Sequence, residues 1–152
     1  MLSFNPIEIG FASYLDHPAD IPELAHRCAG LVGATFSGSW LPLLSNADRW
    51  VAEWRFWSRT EEQLYEDSER ICMLCALAGE AIREGLDIPL AWTVRINRSM
   101  YGASYSADLV AEDGRICEVS DLLCGQLIDP DHSPRSEIVT TVVWLKTQHP
   151  FL

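Results

Sequence analysis

The clearest periodic pattern in the chain predicts a long helix from about residue 61 to 84. Thr60 followed by Gln63 forms a capping box at its start, and Gly85 is placed to end it. Apolar or small residues recur at spacings of four and three, as one helix face requires: they are Leu64, Ser68, Ile71, Cys75, Ala78 and Ile82. Five glutamates lie mostly on the opposite, solvent-facing side of this helix: Glu62, Glu66, Glu69, Glu80 and Glu84.

A second helix is predicted from about 20 to 32. Asp20 precedes Glu23 by three residues, with Pro22 early in the first turn, so Asp20 is expected to cap the helix. Gly33 is placed to close it. The apolar positions that recur at helical spacing are Ile21, Leu24, Ala25, Cys28, Leu31 and Val32.

Alternation of apolar and polar residues predicts strands elsewhere in the chain. In the strand that begins at Leu90, one face has Leu90, Trp92, Val94 and Ile96, and the other has Ala91, Thr93, Arg95 and Asn97. Asp113-Gly114 is the best hairpin turn in the sequence, and it should pair the strand before it with the strand after it. The segment that ends the series is apolar on both faces, which is typical of a central strand. The expected strands span about 6–14, 90–97, 103–112, 115–119 and 137–146.

The tryptophan-rich segment 49–57 fits two periodicities. As a strand it places Trp50, Trp54 and Phe56 on one face, whereas as a helix it stacks Trp50, Trp54 and Trp57. The high β-propensity of aromatic residues favours the strand. The sum of these patterns is an α+β fold in a single domain of residues 1–152, with two main helices packed on a mostly antiparallel sheet of about five or six strands.

The amino-acid composition indicates what kind of surface this fold has. The chain has 22 acidic and 11 basic residues and a formal net charge of -11, yet it is 48% hydrophobic with six tryptophans. A disordered acidic tail would lack this apolar content, so the negative charge is expected on the surface of a folded domain. Such a surface repels nucleic acid and acidic membranes and attracts a basic protein.

The cysteine pattern and the N-terminus favour a cytoplasmic protein. Five cysteines, an odd number, do not resemble a secreted disulfide framework. The first eleven residues lack the basic region of a secretory signal, and the longest apolar stretch, 71–79, is too short to span a bilayer.

No residue set forms a catalytic or metal-binding signature, and we expect neither a metal nor a cofactor. Cys72 and Cys75 have the spacing of a redox or zinc pair, but they lie among apolar residues, which favours packing. Cys117 and Cys124 lack further ligands. The loop Asp129-Pro130-Asp131-His132 is the one alternative, as an acid/base or cation site.

The candidate binding residues come from the acidic half of the long helix and from the aromatic segment before it. Carboxylates without an intervening basic residue predict a negative stripe, and an exposed tryptophan beside it would serve as a hot spot. A solvated helix face and a buried core tryptophan are the plainer interpretations. The candidate partner-binding residues are Glu61, Glu62, Glu66, Asp67, Glu69 and Trp57.

The N-terminal pattern resembles the start of some bacterial polymorphic-toxin immunity families. The residues that carry the resemblance are Tyr14, the segment Glu23-Leu24-Ala25-His26-Arg27-Cys28-Ala29 and Trp40, so it covers about the first 45 residues. It implies an N-terminal strand leading into a helix, and a toxin encoded beside this chain as the partner.

Three functional hypotheses follow. The first is a small acidic protein of the immunity or inhibitor type, which binds and neutralises a basic partner such as a toxin or secreted effector. The second is a small hydrolase that uses Asp129, Asp131 and His132. The third is an adaptor or chaperone for a secreted effector, which would leave its client active.

Overall fold

A computed structural model describes residues 11–31, 40, 43, 61–86, 88–100 and 102–121, with backbone only at 61–68, 99 and 102–104. Within these ranges a 3-10 turn, Pro18–Asp20, leads into helix α1, Ile21–Leu31. Helix α2 spans Glu61–Gly85. Three strands follow, β1 at Leu90–Ser99, β2 at Gly102–Ala111 and β3 at Ile116–Cys117. The fold class is α+β, as predicted.

Helix α2 is the centre of the described core. Every residue from Ile71 to Ile82 is buried, so this half of the helix is covered on all faces rather than along one stripe. Helix α1 packs against it through Leu24, Ala25 and Cys28, which are buried at the predicted spacing. The prediction of the helix itself is confirmed. The expectation that Glu80 points to solvent is wrong, because it is only 8% exposed.

The sheet lies against α2 at one close contact. A Cβ atom added to Gly79 would fall 2.0 Å from Cη2 of Trp92 on β1. Only a glycine lets the indole approach the helix backbone this closely. Trp92 is 5% exposed, and its indole Nε1 has no hydrogen-bond partner within the described ranges.

The strands run in the order β1-β2-β3, and both pairs are antiparallel. Ser99 faces Gly102, so a two-residue connection joins β1 to β2. The strand β3 is only two residues long, and beyond it the buried Ser120 hydroxyl takes over the pairing. This hydroxyl accepts the N–H of Ala107 and donates to its carbonyl oxygen at 2.9 Å.

The predicted hairpin at Asp113-Gly114 is confirmed. The N–H of Ala111 donates to the carbonyl of Arg115 at 2.9 Å, and Gly114 has a φ of 87°. Asp113 accepts the N–H of Arg115 at 3.1 Å and pairs with its side chain. These hydrogen bonds from Arg115 hold the pKa of the Asp113 carboxyl below its ordinary value.

Substituting Gly114 by alanine tests how much this turn depends on its left-handed backbone. Nothing lies within 4 Å of the added Cβ, so the cost isolates the backbone conformation from any clash. We expect a loss of about 1–2 kcal/mol in the free energy of unfolding, measured by urea denaturation. Gly114→Asn should lose less, because asparagine tolerates this region. Equal losses for the two variants would show that the left-handed backbone at Gly114 is not the cause of the loss.

Two predictions near the N-terminus are wrong. The strand expected at 6–14 is not formed over 11–14, where the N–H of Tyr14 donates to the carbonyl of Phe11 at 3.0 Å in a helical turn. Phe11 and Tyr14, three residues apart, both pack on the core. This spacing is typical of a helical turn and does not follow from an alternating pattern. Asp20 does not have the extended backbone of an N-cap residue. It is the last residue of the 3-10 turn, which runs directly into α1.

The described sheet therefore has three strands, not the five or six expected. The segments 6–10, 49–57 and 137–146, on which further strands were predicted, lie outside the described residues. In the part of the chain described, neither helix combines the length and apolarity that a bilayer span requires.

Candidate protein-binding surface

Helix α2 reaches solvent beside α1 at Glu69. Positions 62, 66 and 69 lie on one face of the helix, because they are spaced by four and three residues. Glu69, the last of them, has a side chain that is 57% exposed. Its Oε1 atom accepts a hydrogen bond from Nη2 of Arg27 on α1 at 2.6 Å. One carboxylate of the predicted stripe is thus exposed and partly neutralised by an arginine.

Carboxylates at the start of α1 extend this surface. Asp20 and Glu23 are exposed, and Glu23 lies one turn before Arg27 on the same helix face. Tyr14 lies within electrostatic range of Asp20, Glu23 and Arg27. Desolvation is the main cause of its raised pKa; Arg27 opposes the rise, and Glu23 and Asp20 add to it. Arg27 is therefore flanked by acids from both helices. We call Asp20, Glu23 and Glu69, together with helix positions 62 and 66, the acidic face.

A second acidic group surrounds Arg95 on the sheet. Its guanidinium donates to Asp108 at 2.9 Å and 3.3 Å and to Asp121 at 3.0 Å, and Glu118 lies 3.8 Å away. Asn97 accepts a further hydrogen bond. Asp108 is 2% exposed, and desolvation raises its pKa even though Arg95 acts in the opposite direction. The same pairing raises the pKa of Arg95.

Sequence reasoning placed Arg95 on the polar side of its strand but missed this cluster. The alternation of β1 and β2 brings Arg95 and Asp108 to the same sheet face, since Arg95 is opposite Ser106 in the register. That much was available from the pattern. The burial of Asp108 and the return of Asp121 over the sheet depend on tertiary packing, for which the sequence has no local signal.

Exposed carboxylates dominate the described surface. Among residues whose side chains are described, nine carboxylates are classed as exposed, against two arginines, Arg27 and Arg98. The acid excess of the composition is therefore displayed to solvent in this part of the chain. The exposed carboxylates are Asp16, Asp20, Glu23, Glu69, Glu84, Glu112, Asp113, Glu118 and Asp121.

An open groove of about 460 Å³ lies at the C-terminal end of α2. Glu84 accepts the backbone N–H of Trp40 at 2.8 Å, and Glu80 accepts Nη1 of Arg83 at 2.9 Å. His26 contacts the Trp40 ring edge-on, with centroids 4.9 Å apart. We call this feature the Trp40 groove. Its lining residues are Trp40, Glu80, Arg83, Glu84, Ile88, Pro89 and Leu90.

The cysteines serve as packing residues where they are described. Cys72 and Cys75 are buried in the middle of α2, as the apolar context predicted. Burial raises the pKa of Cys28 and of Cys117 to about 12, which keeps both thiols protonated at neutral pH. The described residues contain no group of three side chains that could together hold a metal ion.

Several predicted site residues are described by their backbone alone or lie outside the described residues. The backbone of Glu61, Glu62, Glu66 and Asp67 is helical, as expected, and only the backbone is described there. Trp57, the loop 129–132 and Cys124 lie outside the described residues. The binding role of the acidic stripe and of Trp57 stays a prediction.

Comparison with known proteins adds no relative. Neither a scan of protein-family models nor searches of curated proteins and solved structures finds a significant match to this chain. The resemblance to immunity families thus depends only on the N-terminal residues given above.

Proposed function

We propose that this protein binds a basic protein and neutralises it, in the manner of an immunity protein or stoichiometric inhibitor. The observation that carries the proposal is the excess of exposed carboxylates over exposed arginines in the described surface. A field of one sign raises the encounter rate with a partner of opposite sign by roughly 10- to 1000-fold. It also disfavours nucleic acid and anionic lipid as partners.

The acidic face is the part of this surface on which we place the partner. Arg27 contacts this face: its Nη2 lies 2.6 Å from Oε1 of Glu69, and Glu23 lies one helical turn before it. The pair is more than half exposed on both sides, so it contributes little to folding stability. Positions 62 and 66 continue the face toward the start of α2. A basic partner would meet a net negative strip along two packed helices.

An interaction test should begin with the products of the adjacent reading frames, because the family resemblance implies a partner encoded beside this chain. Each product is co-expressed with this protein, and complexes are isolated at low salt. Stoichiometric loss of the partner's activity on titration supports an inhibitor. A partner that stays fully active in the complex supports the adaptor instead.

The double variant Glu23→Lys/Glu69→Lys tests the acidic face directly. We expect its association rate with the partner to fall about tenfold or more at low salt and its salt dependence to flatten, as measured by stopped-flow fluorescence. Glu62→Lys/Glu66→Lys should behave similarly if the predicted stripe extends along α2. Glu23 and Glu69 are exposed. Far-UV circular dichroism checks that both double variants keep the fold.

The matched control is Ala91→Lys/Met100→Lys/Glu112→Lys, which changes the net charge by the same four units at exposed positions of the sheet, outside the Arg95 cluster. Its association rate should fall much less. If the control slows association as strongly as Glu23→Lys/Glu69→Lys, general charge rather than the acidic face governs binding. If neither variant changes the rate, the partner does not depend on this surface.

A further inference from the structure

The Trp40 groove is lined by both charged and apolar residues. The charged ones are Glu80, Arg83 and Glu84. The others include Trp40 and the apolar residues Ile88 and Leu90. A volume of about 460 Å³ lies within the usual range for ligand pockets, roughly 300–1000 Å³, and accommodates a long side chain with its neighbouring backbone.

The charges in this groove favour a cation. Two carboxylates and one guanidinium leave a net charge of about -1, and Arg83 is already engaged by Glu80 at 2.9 Å. Glu84 accepts the N–H of Trp40 at 2.8 Å, which fixes its carboxylate at the rim. A carboxylate has about four lone-pair positions and can accept several hydrogen bonds at once. An incoming anion would meet like charge.

Among possible cations, the tryptophan in the groove favours one with a flat face. An indole attracts a cation placed over its ring, and guanidinium is the cation that both stacks on an aromatic ring and forms forked hydrogen bonds to carboxylates. Ammonium lacks the plane and the fork. His26 contacts Trp40 edge-on, which supports the indole from the α1 side.

We propose that the Trp40 groove binds an arginine side chain of the basic partner, held between the Trp40 indole and the Glu84 carboxylate. The inference deepens the proposed function by naming a specificity pocket separate from the acidic face. The acidic face would steer the partner, and the groove would take one of its arginines.

The test uses the full-length ¹⁵N-labelled protein and a small probe, so it does not require the partner. Nα-acetyl-arginine methylamide is titrated while the Trp40 indole and Ile88 amide signals are followed by NMR. We expect saturable shifts with a Kd on the order of millimolar, as suits one side chain. The citrulline analogue, which has the same shape without the charge, should give no saturable shift. The lysine analogue should bind more weakly than the arginine probe.

Glu84→Gln removes the charge while keeping an oxygen that can accept the Trp40 N–H. It should weaken binding of the arginine probe about fivefold, because a charge-assisted hydrogen bond is replaced by a neutral one. Glu112→Gln, at an exposed site outside the groove, should change the Kd less than twofold. Trp40→Leu should lower the preference for arginine over lysine, which the Ile88 signal reports.

Four results would overturn the groove assignment: no saturable shift at Trp40, equal binding of citrulline, equal or tighter binding of lysine, or equal effects of Glu84→Gln and Glu112→Gln. These outcomes are separable from the failure of the proposed function. A basic partner that binds the acidic face normally in the Glu84→Gln background would refute the groove alone. A groove that binds the probe in a protein without any basic partner would refute the proposed function alone.

Discussion

Replacing Gly79 by alanine should be among the most destabilising single-methyl changes in this protein. The new Cβ would lie 2.0 Å and 2.2 Å from two carbons of the Trp92 ring. Helix α2 is buried on all sides at this point and Trp92 is 5% exposed, so neither partner can move into solvent. We expect a loss of about 3 kcal/mol, at the upper end for overpacking, although alanine is the better helix former by about 1 kcal/mol.

Urea denaturation measures this loss, and Tm should fall by roughly 6–12 °C at about 2–4 °C per kcal/mol for a domain of this size. The matched control is Gly30→Ala in α1, where nothing lies within 4 Å of the added Cβ. Because Gly30 is exposed, this variant should gain stability, by up to about 1 kcal/mol. The two glycines differ in surroundings rather than in secondary structure.

A double-mutant cycle assigns the loss to the Trp92 ring. Trp92→Leu alone opens a cavity, and Gly79→Ala added to it should cost far less than in the natural background, with a coupling of about 2 kcal/mol. Additive losses would mean that the methyl group meets something other than Trp92. A stable Gly79→Ala protein with unchanged Tm would refute the close helix–sheet contact itself.

The sequence predicts the elements of this fold better than their contacts. Helix α2 was expected at about 61–84 and is found at Glu61–Gly85, because twenty-five residues of consistent periodicity outweigh local ambiguity. The β2-β3 hairpin was identified from Asp113-Gly114, where the turn chemistry is local. The segment 11–14 was misassigned because the alternation of Ile7, Ile9 and Phe11 is short. A pattern of three residues fits a strand and a helical turn almost equally.

The contacts that define the candidate sites have no such local signal. Gly79 gives no hint in the sequence that an indole thirteen positions later covers it. Trp40 was noted only for the family resemblance, and its hydrogen bond to Glu84 joins residues 44 positions apart. Glu80 was expected in solvent because glutamates usually are, but it is 8% exposed and paired with Arg83. The net charge follows directly from the sequence, whereas the positions of the charged groups on the surface depend on the fold.

The Arg95 cluster shows how this acidic chain places a carboxylate in its interior. Asp108 is 2% exposed, and its neighbours Asp121 and Glu118 are also acids, so Arg95 is the cation that balances three carboxylates. A carboxylate in the interior has lost most of its hydration, so the stability of its charged form depends mainly on its ion-pair partner. Arg95 joins β1, β2 and the turn after β3, and it therefore couples folding of the sheet to pH.

Arg95→Met should lose about 3 kcal/mol at pH 7, the lower end for breaking a buried ion pair, because Arg95 itself is 31% exposed. The variant leaves Asp108 buried without its cation and beside Asp121, so its folded pKa should rise above the already raised value of the natural protein. A raised folded pKa means that the folded state binds more protons than the unfolded state. Stability then falls as pH rises and returns as pH is lowered.

The deficit of Arg95→Met relative to the natural protein should accordingly shrink between pH 7 and about pH 5, as measured by urea denaturation at both values. Arg98→Met removes the same charge from an exposed position of β1 and should stay within about 0.5 kcal/mol at either pH. Arg95→Met/Asp108→Leu should recover most of the loss, because no unpaired buried charge remains. A deficit that does not change with pH, or a double variant as unstable as Arg95→Met, would show that packing of the arginine stem rather than its charge supports the sheet.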